Sequence, residues 1–184
     1  MRIIIVRHGD PNYELDTLTK TGWREAELAA EYLAKLRIKA FYVSPLGRAQ
    51  DTAGCTLKKM NRTAETLDWL REFEAHIDRP DVKNEKSICW DWLPQDWTMD
   101  ERFYQYDHWF ENERLQAAGA REYYDYVTGE FDKLLARHGY VREGHYYRVE
   151  KANDDTIVFF CHFGLECVLL SHLMSVSPMV FWHG

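Results

Sequence analysis

The sequence predicts an α/β fold, a three-layer αβα sandwich built around a mostly parallel central sheet. Three observations carry this. Residues 3–6, 40–43 and 156–161 form short apolar runs rich in β-branched and aromatic residues, the signature of buried strands. Each run is followed by a segment with apolar residues at helical spacing. The chain therefore passes from strand to helix three times, and helical crossovers are what parallel pairing requires.

The first run, Ile3-Ile4-Ile5-Val6, leads through a loop to a helix with Ala26, Ala29, Ala30, Leu33 and Leu36 on one face, and Thr19 or Thr21 can cap it. After the second run, Ser44-Pro45 offers an N-cap and a first-turn proline, and Leu46, Ala49, Ala53, Leu57 and Met60 form the apolar face. After the third, Leu165, Val168, Leu169 and Leu173 repeat in the same way. Between the second and third units the composition changes, with Trp90, Trp92, Trp97 and Trp109 close to Phe103, Tyr104, Tyr106 and Phe110. This reads as an inserted, aromatic-rich helical cap over 88–138 within one domain spanning 1–184. In it, Phe103, Tyr106 and Phe110 can share a helix face, and Tyr124, Val127, Phe131, Leu134 and Leu135 predict a long helix. Residues 140–149, broken by Glu143-Gly144, read as a hairpin or an irregular excursion.

With 184 residues, 46% of them hydrophobic, the chain can bury one sizeable core. A net charge of -7 argues against general attraction to nucleic acid or anionic lipid, which are bound through excess Lys and Arg. Any anion site must be built locally. The apolar start is too short for a signal peptide, no run is long enough to cross a bilayer, and the four cysteines lack C-x-x-C spacing. The expected setting is the reducing cytoplasm, with a small phosphorylated substrate as partner, no nucleic acid, no membrane, and self-association into a homo-oligomer left open.

Each predicted strand ends in groups that bind anions: Arg7-His8, then Arg48, then His162. Ligands of open parallel sheets sit outside the carboxyl ends of the strands, where helix N-termini add unpaired N–H groups. Two arginines and two histidines gathered there make an oxyanion pocket.

The R-H-G at 7–9, S-P-L-G-R-A-Q-D-T-A at 44–53 and C-H-F-G at 161–164, each after a strand, resemble the histidine phosphatase superfamily, which includes the cofactor-dependent phosphoglycerate mutases and the α-ribazole phosphatases. The likeness runs from Arg2 to about Leu173 and implies a phosphoglycerate mutase-like fold. It makes His8 the nucleophile, Arg7 and Arg48 phosphate clamps, and His162 the second histidine of the pocket. Such roles suit the residue types, since a neutral imidazole can attack phosphorus in line while guanidinium groups hold the phosphate oxygens in pairs. The nucleophile's other ring nitrogen needs an orienting acceptor, which the sequence does not name.

The family's acid/base glutamate often stands in an L-x-E segment, matched by Leu70-Arg71-Glu72, with Glu74 as a competitor. Asn12 is a further phosphate-binding candidate. No metal or organic cofactor is implied. Asp10-Pro11 and Phe163 depart from the commoner residues of the pattern, and the aromatic end 181–184 stands where members continue into another strand, which reads as a truncation. The implied activity is phosphomonoester hydrolysis through a phosphohistidine, with a mutase or a catalytically silent phosphate-binding module as alternatives. His76, His108, His138, His145, His172 and His183 have no ligand or motif spacing and enter no site.

Overall fold

All three apolar runs are strands in the computed structural model, which describes residues 1–83 and 85–184. In chain order, β1 (Arg2–Arg7), β2 (Pro11–Asn12) and β3 (Thr17–Leu18) precede α1 (Lys20–Leu33), β4 (Ala40–Val43), α2 (Gly47–Met60) and β5 (Glu65–Thr66). Next come β6 (His76–Ile77), β7 (Ser87–Ile88), α3 (Pro94–Trp97), α4 (Glu113–Ala117) and α5 (Ala120–Arg137). The chain then runs through β8 (Tyr140–Glu143), β9 (Tyr146–Val149), β10 (Thr156–Cys161), α6 (Phe163–Met174) and α7 (Pro178–His183). It divides into two compact units, Met1–Glu72 with Ala152–Glu166, and Phe73–Lys151 with Cys167–Gly184. No helix among the described residues is long and apolar enough to cross a membrane.

A central parallel sheet, ordered β1-β10-β4-β5 and flanked by helices, organises the first unit. β10 lies between β1 and β4, and all six of its residues are buried, as a central parallel strand requires. On one sheet face Ile4, Val6, Phe41, Val43, Val158 and Phe160 pack with Leu33 of α1 and Ala53 of α2. Complete burial of a side chain such as Phe160 contributes about 1.5–3 kcal/mol relative to exposure. On the other face Phe159 meets Tyr42 and Trp69, with ring centroids 5.2 and 6.3 Å away.

Thr19 caps α1, its hydroxyl accepting from Gly22 N at 3.1 Å, as one of the two threonines was expected to do. The second helix differs from expectation. α2 starts at Gly47 rather than at Pro45, its N-cap Leu46 provides no side-chain acceptor, and the first free N–H, that of Gly47, donates to Asp16 Oδ2 at 2.6 Å. Ser44 is taken up elsewhere, as described below. The two-residue strand β5, hydrogen-bonded to the edge of β4, is too short to leave a sequence signal.

The second unit contains the whole of 88–138. α5 forms where predicted, with Tyr124, Val127, Phe131, Leu134 and Leu135 all buried. Residues 140–149 form the β8-β9 hairpin, which turns at Gly144 with φ +58°, a left-handed conformation natural to glycine. The helix expected through Phe103, Tyr106 and Phe110 is instead two short 3-10 turns, Glu101–Tyr104 and Trp109–Glu111. Asp100 caps the first by accepting from Arg102 N, and extended backbone at Gln105 ends it. The aromatic residues make edge-on contacts: Trp109 with Tyr124 and Trp182, and Trp92 with Phe103. Trp92, Trp97 and Trp109 are all buried in this way.

Candidate active site

Strand register decides which groups meet. Arg7 pairs with Cys161 across β1 and β10, and Val43 with Phe160 across β10 and β4, so all three strands end at one level. Two further backbone bonds extend the pairing past the strand ends, His8 N donating to Cys161 O at 3.0 Å and Ser44 N to Phe160 O at 2.9 Å. His8 and His162 therefore leave neighbouring strands side by side, with ring centroids 5.2 Å apart.

The backbone behind His8 allows no side chains. A Cβ on Gly9 would lie 2.6 Å from Gly22 O, and one on Gly22 would lie 2.2 Å from Asp10 O. Gly9 N donates to Thr52 Oγ1 at 3.1 Å, and Thr52 Oγ1 donates to Arg48 O at 2.8 Å, so the loop is tied to α2. His8 Nδ1 lies 2.8 Å from Gly9 O, the acceptor that the sequence could not name. A carbonyl only accepts, so Nδ1 carries the proton and Nε2 of the neutral ring keeps its lone pair. Burial holds the His8 pKa below its ordinary value despite the Gly9 bond, and repulsion from Arg48 and Arg7 acts in the same direction. An open cleft of about 220 Å³ borders this loop, lined by Arg7, His8, Gly9, Asp10, Pro11 and Glu25.

Arg48, buried in the first turn of α2, donates from Nη1 to Asp16 Oδ1 at 2.7 Å. Its Cζ lies 5.4 Å from the centre of the Tyr13 ring, and that of Arg7 lies 5.5 Å from the Phe163 ring. His162 is fully buried, with Nε2 2.8 Å from Ser44 Oγ. Burial, followed by repulsion from Arg48 and His8, pushes its pKa down to about 3. Arg48 Nε and His162 Nδ1 are both buried with no hydrogen-bond partner among the described residues. Buried polar atoms are nearly always paired, so these two nitrogens near His8 are open to bonding by a polar ligand.

The two glutamate candidates separate. Glu72 is buried, and its Oε1 accepts from Leu165 N at 3.0 Å, in the α6 turn that follows His162. Glu74 is exposed and belongs to the second unit. Asn12 uses its Oδ1 within its own loop, accepting from Leu15 N at 3.2 Å. Among the described residues no cluster of three or more His, Cys, Asp or Glu side chains could hold a metal ion.

Residues 3–184 match the sequence profile of the histidine phosphatase superfamily (branch 1). The chain belongs to this superfamily. Among solved structures similar in fold, phosphoserine phosphatase of Entamoeba histolytica is 16% identical with a TM-score of 0.60, covering 99% of this chain and 84% of that one. A mycobacterial glucosyl-3-phosphoglycerate phosphatase is 18% identical with a TM-score of 0.57, over 99% and 83%. The α-ribazole phosphatase of Shigella flexneri is 18% identical with a TM-score of 0.56, over 100% and 84%. At these identities the likeness is one of fold. In sequence, a 2,3-bisphosphoglycerate-dependent phosphoglycerate mutase of Thermoplasma acidophilum is 38% identical over 79 residues, which cover 38% of this chain and only 40% of that one.

Sequence reasoning missed three residues in and around this candidate site. Asp16 holds Arg48, Ser44 holds His162, and Glu166 in the first turn of α6 has its pKa raised by burial, with Arg7 opposing the rise. The S-P that was read as a helix cap was the visible trace of Ser44. A lone aspartate in a loop gave no comparable signal for Asp16.

Proposed function

We propose that this chain is a phosphomonoesterase that hydrolyses a small phosphorylated metabolite through a phosphohistidine on His8. The observation that carries the reading is the pair of buried nitrogens without a hydrogen-bond partner among the described residues, Arg48 Nε and His162 Nδ1, close to a histidine whose Nδ1 is tied to Gly9 O. Arg7, Arg48 and His162 seat the phosphoryl oxygens, and His8 Nε2 attacks phosphorus as the bond to the ester oxygen breaks. Glu72 gives a proton to the departing alcohol, then takes one from the water that cleaves the N–P bond and releases inorganic phosphate. Glu72 is favoured over Glu74 because it is buried, whereas Glu74 is exposed.

A mutase reading shares the first half-reaction and differs in the acceptor, a second hydroxyl in place of water. The partial likeness to the Thermoplasma mutase favours keeping it under test. The deciding experiment follows inorganic phosphate and isomer formation from an aryl phosphate and a panel of phosphorylated sugars, glycerates and serine, for the native chain and His8→Ala. Phosphate release that disappears in His8→Ala, with a phosphorylated His8 peptide trapped by alkaline quench, is the expected result. Isomer without phosphate supports the mutase. Vanadate binding without turnover of any compound overturns both in favour of a silent phosphate-binding module.

A further inference from the structure

Arg48 is held by a device separate from the residues assigned to phosphate. The two carboxylate oxygens of Asp16 do different jobs. Oδ2 accepts from Gly47 N at 2.6 Å, while Oδ1 accepts from Arg48 Nη1 at 2.7 Å. One side chain thus caps the N-terminus of α2 and grips the guanidinium that projects from its first turn. The carboxylate is favourable there because helix N-termini attract negative charge, and its pKa is held down by the Gly47 and Arg48 bonds, against the upward push of burial.

The backbone around Asp16 fits this single placement. Asp16 has φ +46°, in the left-handed region that only glycine, asparagine and aspartate adopt with ease. Gly47 meets it so closely that a Cβ there would lie 2.0 Å from Asp16 O. The loop is closed by the β2-β3 pairing and by a hydrogen bond from Thr17 Oγ1 to Asp51 Oδ2 in α2. Nη1 and Nε lie on opposite edges of a guanidinium group. A carboxylate fixed on Nη1 therefore sets the rotation of the group while leaving the Nε edge, which has no partner among the described residues, for a ligand.

We infer that Asp16 is a positioning residue for phosphoryl transfer, acting through Arg48 by holding its guanidinium with the Nε edge toward the phosphoryl oxygens. The inference rests on the phosphatase reading for the identity of the ligand, but the Asp16–Arg48 coupling is measurable without turnover. A purely structural Asp16 would stabilise the start of α2 and have no special relation to Arg48.

The test is a double-mutant cycle of native chain, Asp16→Asn, Arg48→Ala and the double variant, read in kcat/KM for an aryl phosphate and in affinity for orthovanadate. Asparagine tolerates the left-handed backbone, and Asp16→Gly, which tolerates it too, serves as the second variant should Asp16→Asn fold poorly by its unfolding midpoint. Asp16→Asn is expected to lower both quantities roughly tenfold or more, the scale of a hydrogen bond to a charged group. In the Arg48→Ala background the same change should alter neither by more than about twofold. Equal losses in both backgrounds, or none in either, overturn the inference while His8-dependent turnover leaves the phosphatase reading intact. Coupling in vanadate affinity without turnover supports Asp16 and removes the phosphatase reading, and absence of both vanadate binding and turnover removes the two together.

Discussion

Gly22 gives the sharpest mechanical test of how the His8 loop is held. It lies inside α1, where helix propensity alone says that alanine should stabilise by about 1 kcal/mol. Packing gives the opposite sign. The added Cβ would lie 2.2 Å from Asp10 O and 2.9 Å from Asp10 N, so the helix and the loop must part by about 0.8 Å to reach even a tight 3.0 Å contact. Overpacking of this kind costs roughly 1–3 kcal/mol. The displaced atoms lie two residues from His8, and a misplacement near 1 Å can cost about a hundredfold in rate. Gly22→Ala is therefore expected to lower both the urea unfolding midpoint and, by roughly that factor, kcat for an aryl phosphate. Gly54→Ala in α2 is the control, because a Cβ there meets nothing within 4 Å and the helix should gain about 0.5–1 kcal/mol with activity unchanged. A Gly22→Ala protein as stable and as active as its parent would refute the close-approach argument.

Two further outcomes follow from the histidines. The His162 pKa falls from an ordinary 6.5 to about 3 on folding, so below pH 6.5 the unfolded chain takes up a proton that the folded chain refuses. Stability should be fully present above pH 6.5 and fall as pH drops toward 3, with His162 alone accounting for about 2 kcal/mol between pH 8 and 5. His8 acts in the same direction, and urea titrations in phosphate-free buffer should show a shallower decline in His162→Gln; an identical slope would remove His162 from the linkage. Ser44→Ala leaves His162 Nε2 without its 2.8 Å partner and should cost about 1–3 kcal/mol, with a fall in kcat/KM of roughly tenfold. An unchanged kcat/KM would mean that Ser44 does not orient the ring.

Much of this was legible in the sequence because it is local. Strand runs, the Thr19 cap and the face of α5 follow from periodicity and turn chemistry within a few residues, and the three motifs are short local strings that carry the family resemblance. What stayed hidden depends on partners distant in the chain. Asp16 and Arg48 are 32 residues apart, Ser44 and His162 118, and Glu72 and Leu165 93, and no pattern in one segment reports on the other. The Trp-rich segment failed for a different reason. Phe103 and Tyr106 at a spacing of three fit a helix face, but Phe103 meets Trp92 while Tyr106 meets Tyr124 and His145, and capping by Asp100 followed by extended Gln105 selects short turns instead.

Phe163, which departs from the family pattern, and Asp10, beside the departing Pro11, can be assigned work on this geometry. Phe163 stands where glycine is frequent, and its ring lies 5.5 Å from Arg7 Cζ, where an aromatic face attracts a guanidinium and limits its rotation. Glycine could do neither. Asp10 accepts from Thr19 Oγ1, while its own N–H donates to Glu25 Oε2 at 2.8 Å, so the residue after R-H-G ties the loop to both the cap and the first turns of α1. Neither side chain supplies a group that the proposed reaction consumes. Both fasten a neighbour, as Asp16 fastens Arg48 and Ser44 fastens His162. A chain of net charge -7 thereby fastens two arginines of the candidate site with one specific contact each rather than with more positive charge. Removing Asp16 or Ser44 should accordingly impair the site while leaving its complement of cationic groups unchanged.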